Sequence, residues 1–390
     1  MSVIRFQGCL VKAFAVAILL AGTHAAHAQN TIKVGMNGAL TGPCASLGKD
    51  ALHGLELAVD EINARGGVKG RKIELLVKDD ECKPPMALQW AKQFVDRDNV
   101  VAYFPSTNTT PNLASLQATV PAGVPHIIAG TTSDVLCPPA GSAKPCDANV
   151  VRLSILNSWQ ATAIVDFVQN HLKSQKIALL HDSAEYGQDG GKRLNEEMAK
   201  RGIKPVYVGT FEMAEKNFKP HLTKVKEAGA DVIVTWTLDF VVAQLALQKK
   251  ELGLTQPLIG TNALTGVPMR TLGKEAVEGI YMTDGMTSAV QSSDPALKAL
   301  MQKYQQKYKT EARHGISYFT VTYYDAMHLL ARTMEQSGTD RAAIANALAN
   351  SGKSNGVVAE YEFSPSKRNG RDPSTSVKVV RVKDGALVNP

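Results

Sequence analysis

The chain has 390 residues, of which 44% are hydrophobic and 20% are charged, which is typical of a folded protein with two domains and excludes a disordered or fibrous class. Its 43 Lys and Arg residues outnumber its 36 Asp and Glu residues, and the formal net charge is +7. The basic residues are scattered and form no stripe interleaved with aromatic residues. We therefore expect no nucleic-acid partner.

The first 28 residues have the pattern of a secretory signal peptide. Arg5 and Lys12 supply positive charge, Ala13–Gly22 is apolar, and the small-x-small sequence Ala26–Ala28 precedes Gln29. The apolar run is too short for a membrane span. The sequence therefore predicts a signal peptide over residues 1–28 and a soluble, periplasmic mature protein.

The first part of the mature chain alternates between strand-like and helix-like segments. Apolar strands are predicted at Ile32–Met36, Ile73–Val77 and His126–Ala129, with a further strand at the start of Val100–Pro111. Helical periodicity separates them. This alternation predicts a parallel, doubly wound α/β sheet.

The stretch Val100–Pro111 is the most informative part of this sheet. Its strand gives way to a row of five hydroxyl and amide residues, Ser106 to Thr110, and Pro111 then favours the first position of a helix. Open α/β sheets bind ligands at the carboxyl ends of their strands, and a helix amino terminus favours an anion. The row is either a ligand site or a helix cap; capping needs only one or two of these residues.

The alternation of strand-like and helix-like segments resumes after a Pro-rich loop. Helical periodicity resumes at Ala161. The further strands are predicted at Lys176–Leu180, Val206–Thr210, Asp231–Thr235, Pro257–Ile259 and Gly279–Met282, the helices at Asp294–Tyr308 and Ile316–Gln336, and the last strands at Val357–Phe363 and Val377–Val382. Two doubly wound lobes with a cleft between them account for this order.

Motifs for cofactors and catalysis are not found. The glycines of Gly42–Lys49 are one residue too far apart for a phosphate-binding loop, and no GxSxG nucleophile motif occurs. We therefore expect a binding protein without a cofactor, and not an enzyme.

Four cysteines follow the leader: Cys44, Cys82, Cys137 and Cys146. An even number in an exported chain favours disulfides, with three possible pairings. Cys137 and Cys146 flank a short loop-like segment, so we expect them to pair with each other. No CxxC or HxxxH spacing supports a metal site.

A resemblance covers most of the chain from Thr31 to Pro390. The motifs GALTGP, LAVDEINARGG, KDDECKP, PSTNTTP, AGTTSD, LHDSAEYGQDG and DVIVTWTLDF occur in the order seen in periplasmic leucine/isoleucine/valine-binding proteins, to which the chain is similar. These are the type I solute receptors of ATP-binding cassette (ABC) importers. The resemblance implies two Rossmann-like lobes joined by a three-crossover hinge, with a ligand-binding cleft between them.

The resemblance also implies a ligand site. The hydroxyls and backbone N–H groups that hold a ligand carboxylate in the family match Ser106, Gly130 and Thr132, with Thr107 in the same row. A cleft tyrosine from the second lobe matches Tyr186. These residues form the expected carboxylate end of the site.

The residues expected at the opposite end of the site differ from those of the family. Asn262 stands where amino acid receptors have an acidic residue that binds the ammonium group, and Leu47 and Leu238 replace aromatic residues. Asp239 could supply the missing charge. Pro105 stands where some relatives have a cysteine, so Cys82 is expected to pair with Cys44, which would lie at a neighbouring strand end.

The expected lobes are residues 31–150 plus 284–350 and residues 151–283 plus 351–390. The expected function is that of an exported, monomeric solute-binding component of an ABC importer, with permease subunits in the membrane as partners. The ligand is a small carboxylate-bearing molecule, first a branched-chain or related amino acid. The alternatives are an aromatic or aliphatic acid without an amine, or a sensory ligand-binding module.

Overall fold

The computed structural model describes residues 31–265, 276–285, 294–309, 316–357 and 359–390. The predicted signal peptide lies outside these residues. The helices are α1 Ala45–Ala64, α2 Pro84–Asp96, α3 Thr109–Thr119, α4 Asn157–Asn170, α5 Glu185–Lys200, α6 Lys219–Glu227, α7 Asp239–Glu251, α8 Pro295–Tyr308, α9 Tyr318–Ser337, α10 Arg341–Ala349 and α11 Pro373–Ser376.

The strands are β1 Ile32–Gly38, β2 Ile73–Asp79, β3 Ala102–Phe104, β4 His126–Ile128, β5 Val150–Arg152, β6 Ile177–Asp182, β7 Tyr207–Phe211, β8 Val232–Trp236, β9 Leu258–Gly260, β10 Tyr281–Asp284, β11 Gly352–Asn355, β12 Glu360–Phe363, β13 Lys378–Lys383 and β14 Ala386–Val388. Among the described residues, no helix is both long and apolar enough to cross a membrane.

The amino-terminal sheet has five parallel strands in the order β2-β1-β3-β4-β5. Its central strand β3 consists of fully buried residues, as expected for a strand covered by helices on both faces. Helix α9 packs along α1. A Cβ atom at Gly54 in α1 would overlap the Thr320 carbonyl oxygen in α9, so glycine is needed for this close approach.

The second sheet has seven strands in the order β14-β13-β10-β9-β8-β6-β7. Strands β6 to β10 are parallel to one another, whereas β13 pairs antiparallel with both β10 and β14. The parallel strands β6 and β8 are almost wholly buried. The antiparallel strands β13 and β14 therefore come from the carboxyl-terminal part of the chain and form one edge of this sheet.

A separate hairpin of β11 and β12 packs on the amino-terminal sheet and its helices. The Val357 N–H and the Tyr361 hydroxyl both donate to Asp325 of α9, at 2.7 and 3.0 Å. Beyond β12, the Gly370 N–H donates to the Arg152 carbonyl of β5 at 2.8 Å. Residues 352–370 are thus bonded to elements of the first lobe.

The start of α3 differs from the prediction. The helix begins at Thr109, two residues before Pro111, so the proline occupies the third helical position and not the first. The position is tolerated because the first-turn N–H groups have no partner within the helix. Asn108 at the N-cap makes no side-chain capping bond. The polar row is therefore not used to cap the helix.

Candidate ligand-binding site

A small cavity lies at the carboxyl ends of the parallel strands, with residues from both sheets around it. This position is the one where α/β sheets bind ligands. The lining residues are Leu47, Thr107, Asn108, Thr109, Gly130, Thr131, Thr132, Tyr186, Leu238, Asn262, Ala263 and Phe319. We call the part formed by residues 107–109 and 130–132 the first wall, and the part formed by Tyr186, Leu238, Asn262 and Ala263 the second wall.

The first wall begins with the amino end of α3. Thr107, Asn108 and Thr109 are all buried and all line the cavity. Among the described residues no side chain caps this end, so the free N–H groups of the first turn and the positive end of the helix dipole lie at this wall. The Thr109 hydroxyl is buried and has no hydrogen-bond partner in the described part of the chain. This arrangement suits an anionic or strongly accepting group of a ligand.

The rest of the first wall is the turn after β4. A Cβ atom at Gly130 would lie 2.9 Å from the rings of Phe319 and Tyr323, which explains why glycine occupies this position. Thr132 is 3% exposed, and its hydroxyl donates to the Asn157 side-chain oxygen at 2.7 Å. Of the predicted residues, Thr107, Gly130 and Thr132 thus lie together on this wall.

Ser106 lies behind the first wall and does not line the cavity. Its hydroxyl accepts the Asn108 N–H at 3.4 Å and lies beside the carboxyl group of Asp80. Burial raises the pKa of Asp80 to about 6, and the Cys82 N–H and the Ser106 hydroxyl partly offset this shift. Ser106 therefore supports the wall from within the first lobe, which differs from its expected position in the carboxylate site.

The second wall carries polar groups without charge. The Tyr186 hydroxyl hydrogen-bonds to the Thr261 hydroxyl at 2.7 Å, and burial raises its pKa. The Asn262 backbone N–H donates to the Gln160 side-chain oxygen at 3.1 Å. The Asn262 side chain is 1% exposed, and its Nδ2 has no hydrogen-bond partner among the described residues. An unpaired buried donor at a cavity is a group that a ligand acceptor would satisfy.

Asp239 does not line the cavity, although its neighbour Leu238 does. The Asp239 side chain accepts the Phe240 N–H at 2.9 Å, and its carboxyl lies beside Ser46 of α1. Burial raises the pKa of this carboxyl to about 7, and the nearby Asp50 adds to the shift. Asp239 thus lies behind the second wall, facing α1 of the first lobe, whereas Asn262 lines the cavity.

Several lining residues were not named individually by the sequence analysis. Asn108 and Thr109 belong to the polar row that was predicted as a ligand site or a helix cap, and Thr131 belongs to the second polar turn. Phe319 comes from α9, far along the chain, and nothing in its local pattern separates it from the core. Leu47 and Leu238, noted as replacements for aromatic residues, both lie on the cavity.

Two disulfides are present among the four cysteines of the described chain. Cys44 is joined to Cys82, and Cys137 to Cys146, which are the two expected pairings. The first links the residue before α1 to the loop after β2. The second closes the loop between β4 and β5, and both therefore restrict segments of the amino-terminal lobe.

A family model described as "periplasmic binding protein" matches residues 31–386. The chain belongs to this family. Its relatives include an amino acid binding protein of Pseudomonas aeruginosa, 30% identical over 72% of this chain and 73% of that protein. A Leu/Ile/Val-binding protein homolog of Brucella melitensis is 29% identical over 96% of this chain and 94% of that protein.

Solved structures of periplasmic binding proteins share the fold. The type 1 protein of Bordetella pertussis has a TM-score of 0.82 at 26% identity, covering 91% of this chain and 97% of that chain. The branched-chain amino acid transporter substrate-binding protein LivJ of Streptococcus pneumoniae, in complex with isoleucine, has a TM-score of 0.79 at 25% identity, covering 93% and 100%. A solute-binding protein of R. palustris in complex with benzoate has a TM-score of 0.80 at 20% identity, covering 92% and 95%.

Membership in this family confirms three predictions. The family assignment is right, the fold is that of the type I periplasmic binding proteins, and the chain is a solute-binding protein rather than an enzyme. Periplasmic location follows at the level of the family.

Proposed function

We propose that this chain is the exported solute-binding component of an ABC importer and that it binds a small carboxylate-bearing ligand in the cavity between its lobes. The carrying observation is that the uncapped amino end of α3 and the buried, unpartnered Thr109 hydroxyl both face this cavity. Relatives named as amino acid or Leu/Ile/Val-binding proteins support a branched-chain or related amino acid as the first ligand to test.

The two lobes are proposed to comprise residues 31–150 plus 284–350 and residues 151–283 plus 351–390, with two adjustments. Strand β5 of the amino-terminal sheet extends to Arg152, so the first lobe includes that residue. The hydrogen bonds of the hairpin region to Asp325 and Arg152 favour placing the hairpin with the first lobe as well. We therefore place the third crossover close to Gly370. Hinge motion at the three crossovers would open and close the cavity, and permease subunits would recognise the closed form.

The carboxylate of the ligand is proposed to bind the first wall. There it would receive hydrogen bonds from the first turn of α3 and from the Thr109 hydroxyl, and the helix dipole would favour its charge. The apolar part of the ligand would contact Leu47, Leu238 and Phe319, which line the same cavity. This orientation places the opposite end of the ligand against the second wall.

An acid without an amine is the second candidate ligand. Within the described chain, no acidic or basic side chain lines this cavity, so no full charge is available to pair with an ammonium group. The unpartnered Asn262 Nδ2 is a donor and would suit a carbonyl or hydroxyl oxygen instead. This observation favours a keto acid or an aryl acid over an amino acid at that wall.

A thermal-shift screen followed by calorimetry separates these ligands. Leucine, isoleucine and valine are compared with their keto acids and with simple benzoates, using the full mature protein. A ligand that binds only the folded state raises the unfolding temperature. Stabilisation by the branched-chain amino acids supports the first candidate. Stabilisation by amine-free acids alone replaces it with the second, and no stabilisation by any of them contradicts the proposed ligand class.

The export proposal has its own test. Cleavage after Ala28 would release a mature chain beginning at Gln29 into the periplasm. Cell fractionation and amino-terminal sequencing should find this product. Uptake of the bound solute should fall when the gene is deleted. A protein that is retained with its leader, or uptake that is unchanged, would contradict the assignment to an importer and leave a sensory role as the alternative.

A further inference from the structure

The first wall is connected to a buried hydrogen-bond chain that starts at Asp189 of α5. Asp189 Oδ2 accepts the Ser133 hydroxyl at 2.9 Å, the Asp134 N–H at 3.0 Å and the Asn157 Nδ2 at 2.8 Å. Its Oδ1 accepts the Arg193 Nε–H at 3.2 Å. Because backbone N–H and guanidinium groups can only donate, both carboxylate oxygens act as acceptors.

The carboxylate determines how the Asn157 amide is oriented. An acceptor must face the NH₂ group of the amide, so the Asn157 Oδ1 is turned away from Asp189 and toward Thr132. The contact on the other side of Asn157, from Gln160, favours the same orientation of the amide. The Asn262 N–H fixes the Gln160 Oε1 as an acceptor, and the Gln160 Nε2 then points at the Asn157 Oδ1 from 3.5 Å.

The hydroxyl of Thr132 is oriented in turn. Its hydrogen must point at the Asn157 Oδ1, 2.7 Å away, because that oxygen can only accept. The Thr132 oxygen therefore presents only lone pairs to the cavity. Tyr186 of the second wall lines the same cavity, and a hydroxyl oxygen that donates its hydrogen can still accept a donor group of a ligand.

We infer that Asp189 is a specificity-determining positioning residue, which acts through Asn157 to make the Thr132 hydroxyl an acceptor for a donor group on the ligand. This inference rests on the proposed function, since it concerns the same cavity. An ammonium group can donate a hydrogen bond to such an acceptor. A carbonyl oxygen cannot, because its own lone pairs would face the lone pairs of the Thr132 oxygen. The first wall would then favour an amine through a neutral group, although no carboxylate lines the described cavity.

The direct test is neutron diffraction on deuterated crystals of the wild-type protein. Deuterium on the Thr132 hydroxyl should point at the Asn157 Oδ1, with the Asn157 ND₂ group facing Asp189. Deuterium that points into the cavity, or an inverted Asn157 amide, overturns the inference. This measurement needs no ligand, so it decides the orientation of the chain even if the proposed ligand class is wrong.

The functional test uses leucine and its keto acid as a matched pair of probes in calorimetry. In Asp189→Ala, the Asn157 NH₂ group loses its acceptor, and only the long 3.5 Å contact from the Gln160 Nε2 still orients the amide. An inverted amide would donate to the Thr132 oxygen and leave the hydroxyl hydrogen of Thr132 for the cavity, so the affinity ratio of leucine to the keto acid should fall roughly tenfold. Glu196→Ala is the control, because it removes a carboxylate from the same helix that also contacts Arg193, at 3.1 Å. Its ratio should match the wild type.

An unchanged ratio in a folded Asp189→Ala protein overturns the specificity role. If neither probe binds the wild type, the proposed ligand class fails, and the neutron measurement alone decides the hydrogen-bond chain. If Asp189→Ala does not fold, Asn157→Leu provides the second variant. It removes the acceptor for Thr132 and should lower the same ratio, whereas an unchanged ratio in this variant also counts against the inference.

Discussion

The two walls of the cavity differ in how their polar groups are supplied. The first wall is made of two strand-to-helix turns in which hydroxyls and backbone N–H groups lie side by side, at the positive end of α3. The second wall has single polar side chains, Tyr186 and Asn262, separated by apolar residues. The first wall can therefore recognise a group through the backbone, whereas recognition at the second depends on individual side chains.

This difference indicates which part of the site can change its ligand. Backbone N–H groups and a helix dipole are unaffected by most substitutions, so the preference of the first wall for an anion is built into the fold. One substitution at Asn262 or Tyr186 would alter the second wall. We therefore expect the carboxylate to be common to alternative ligands, whereas individual side chains, Tyr186 and Asn262 of the second wall and the Thr132 hydroxyl of the first, distinguish between them.

The largest expected effect concerns Asp239, the carboxyl that lies behind the second wall. Its pKa is raised from 3.8 to about 7 in the folded protein, chiefly by burial. The folded state thus keeps the proton to higher pH than the unfolded state. Stability from this group is fully present below about pH 4 and is lost as the pH rises to about 7. Asp239→Asn should remove this loss, which is at most ~4 kcal/mol.

Urea unfolding of wild type and Asp239→Asn between pH 4 and pH 8 measures the difference. Glu251→Gln is the control on the same helix, since this carboxylate is exposed and pairs with Lys219 at 2.8 Å. Its stability should follow the wild-type pH dependence. Parallel curves for wild type and Asp239→Asn would show that Asp239 is ionised at neutral pH and would reopen its role as a partner for an ammonium group.

The next effect tests the first wall. Thr132→Ala removes a buried hydroxyl that lines the cavity, and a hydrogen bond to a charged group contributes ~1.5–3 kcal/mol, so affinity should fall roughly 10- to 100-fold. Calorimetry with the best ligand of the screen measures this. Thr162→Ala serves as the control, because its hydroxyl bonds only within α4, to the Ser158 carbonyl at 3.2 Å. Equal affinities would exclude Thr132 from ligand recognition.

The fold was more predictable from the sequence than the site. Hydrophobic periodicity placed β1 within Ile32–Gly38 and α9 close to Tyr318–Ser337, because burial imposes a period that persists over many residues. Short strands that are defined by pairing, such as β5 and β14, were missed. They have too few residues for a period to show.

Which side chains face the site depends on the residue at which each helix begins, and hydrophobic periodicity does not determine that residue. In the row after β3, starting the helix at Thr109 turns that hydroxyl into the cavity and leaves Ser106 behind the wall. At α7, Leu238 lines the cavity and the next residue, Asp239, faces Ser46. A shift of one residue changes each role. Such a shift depends on packing between distant segments, and one sequence does not contain that information.

A smaller effect is expected at the second wall. Asn262→Leu keeps the size of the side chain and removes its unpartnered donor, so affinity should fall roughly 2- to 10-fold, the range for a neutral hydrogen bond. Asn262→Asp sharpens the comparison, because a carboxylate there should shift preference toward a ligand with an amine. Competition between leucine and its keto acid measures both changes. A loss in Asn262→Leu as large as in Thr132→Ala would contradict the proposed asymmetry of the walls.

The smallest effect on binding is expected for Ser106→Ala, because this hydroxyl faces Asp80 and not the cavity. Affinity should change less than about twofold, whereas stability should fall by ~1 kcal/mol through the lost contacts with Asp80 and the Asn108 N–H. The Ser106 hydroxyl lowers the raised pKa of Asp80, which is about 6. Without it the pKa of Asp80 rises further, so the stability difference should be larger at pH 8 than at pH 5. Calorimetry and urea unfolding at both pH values test this. A tenfold loss of affinity at unchanged stability would instead return Ser106 to the carboxylate site.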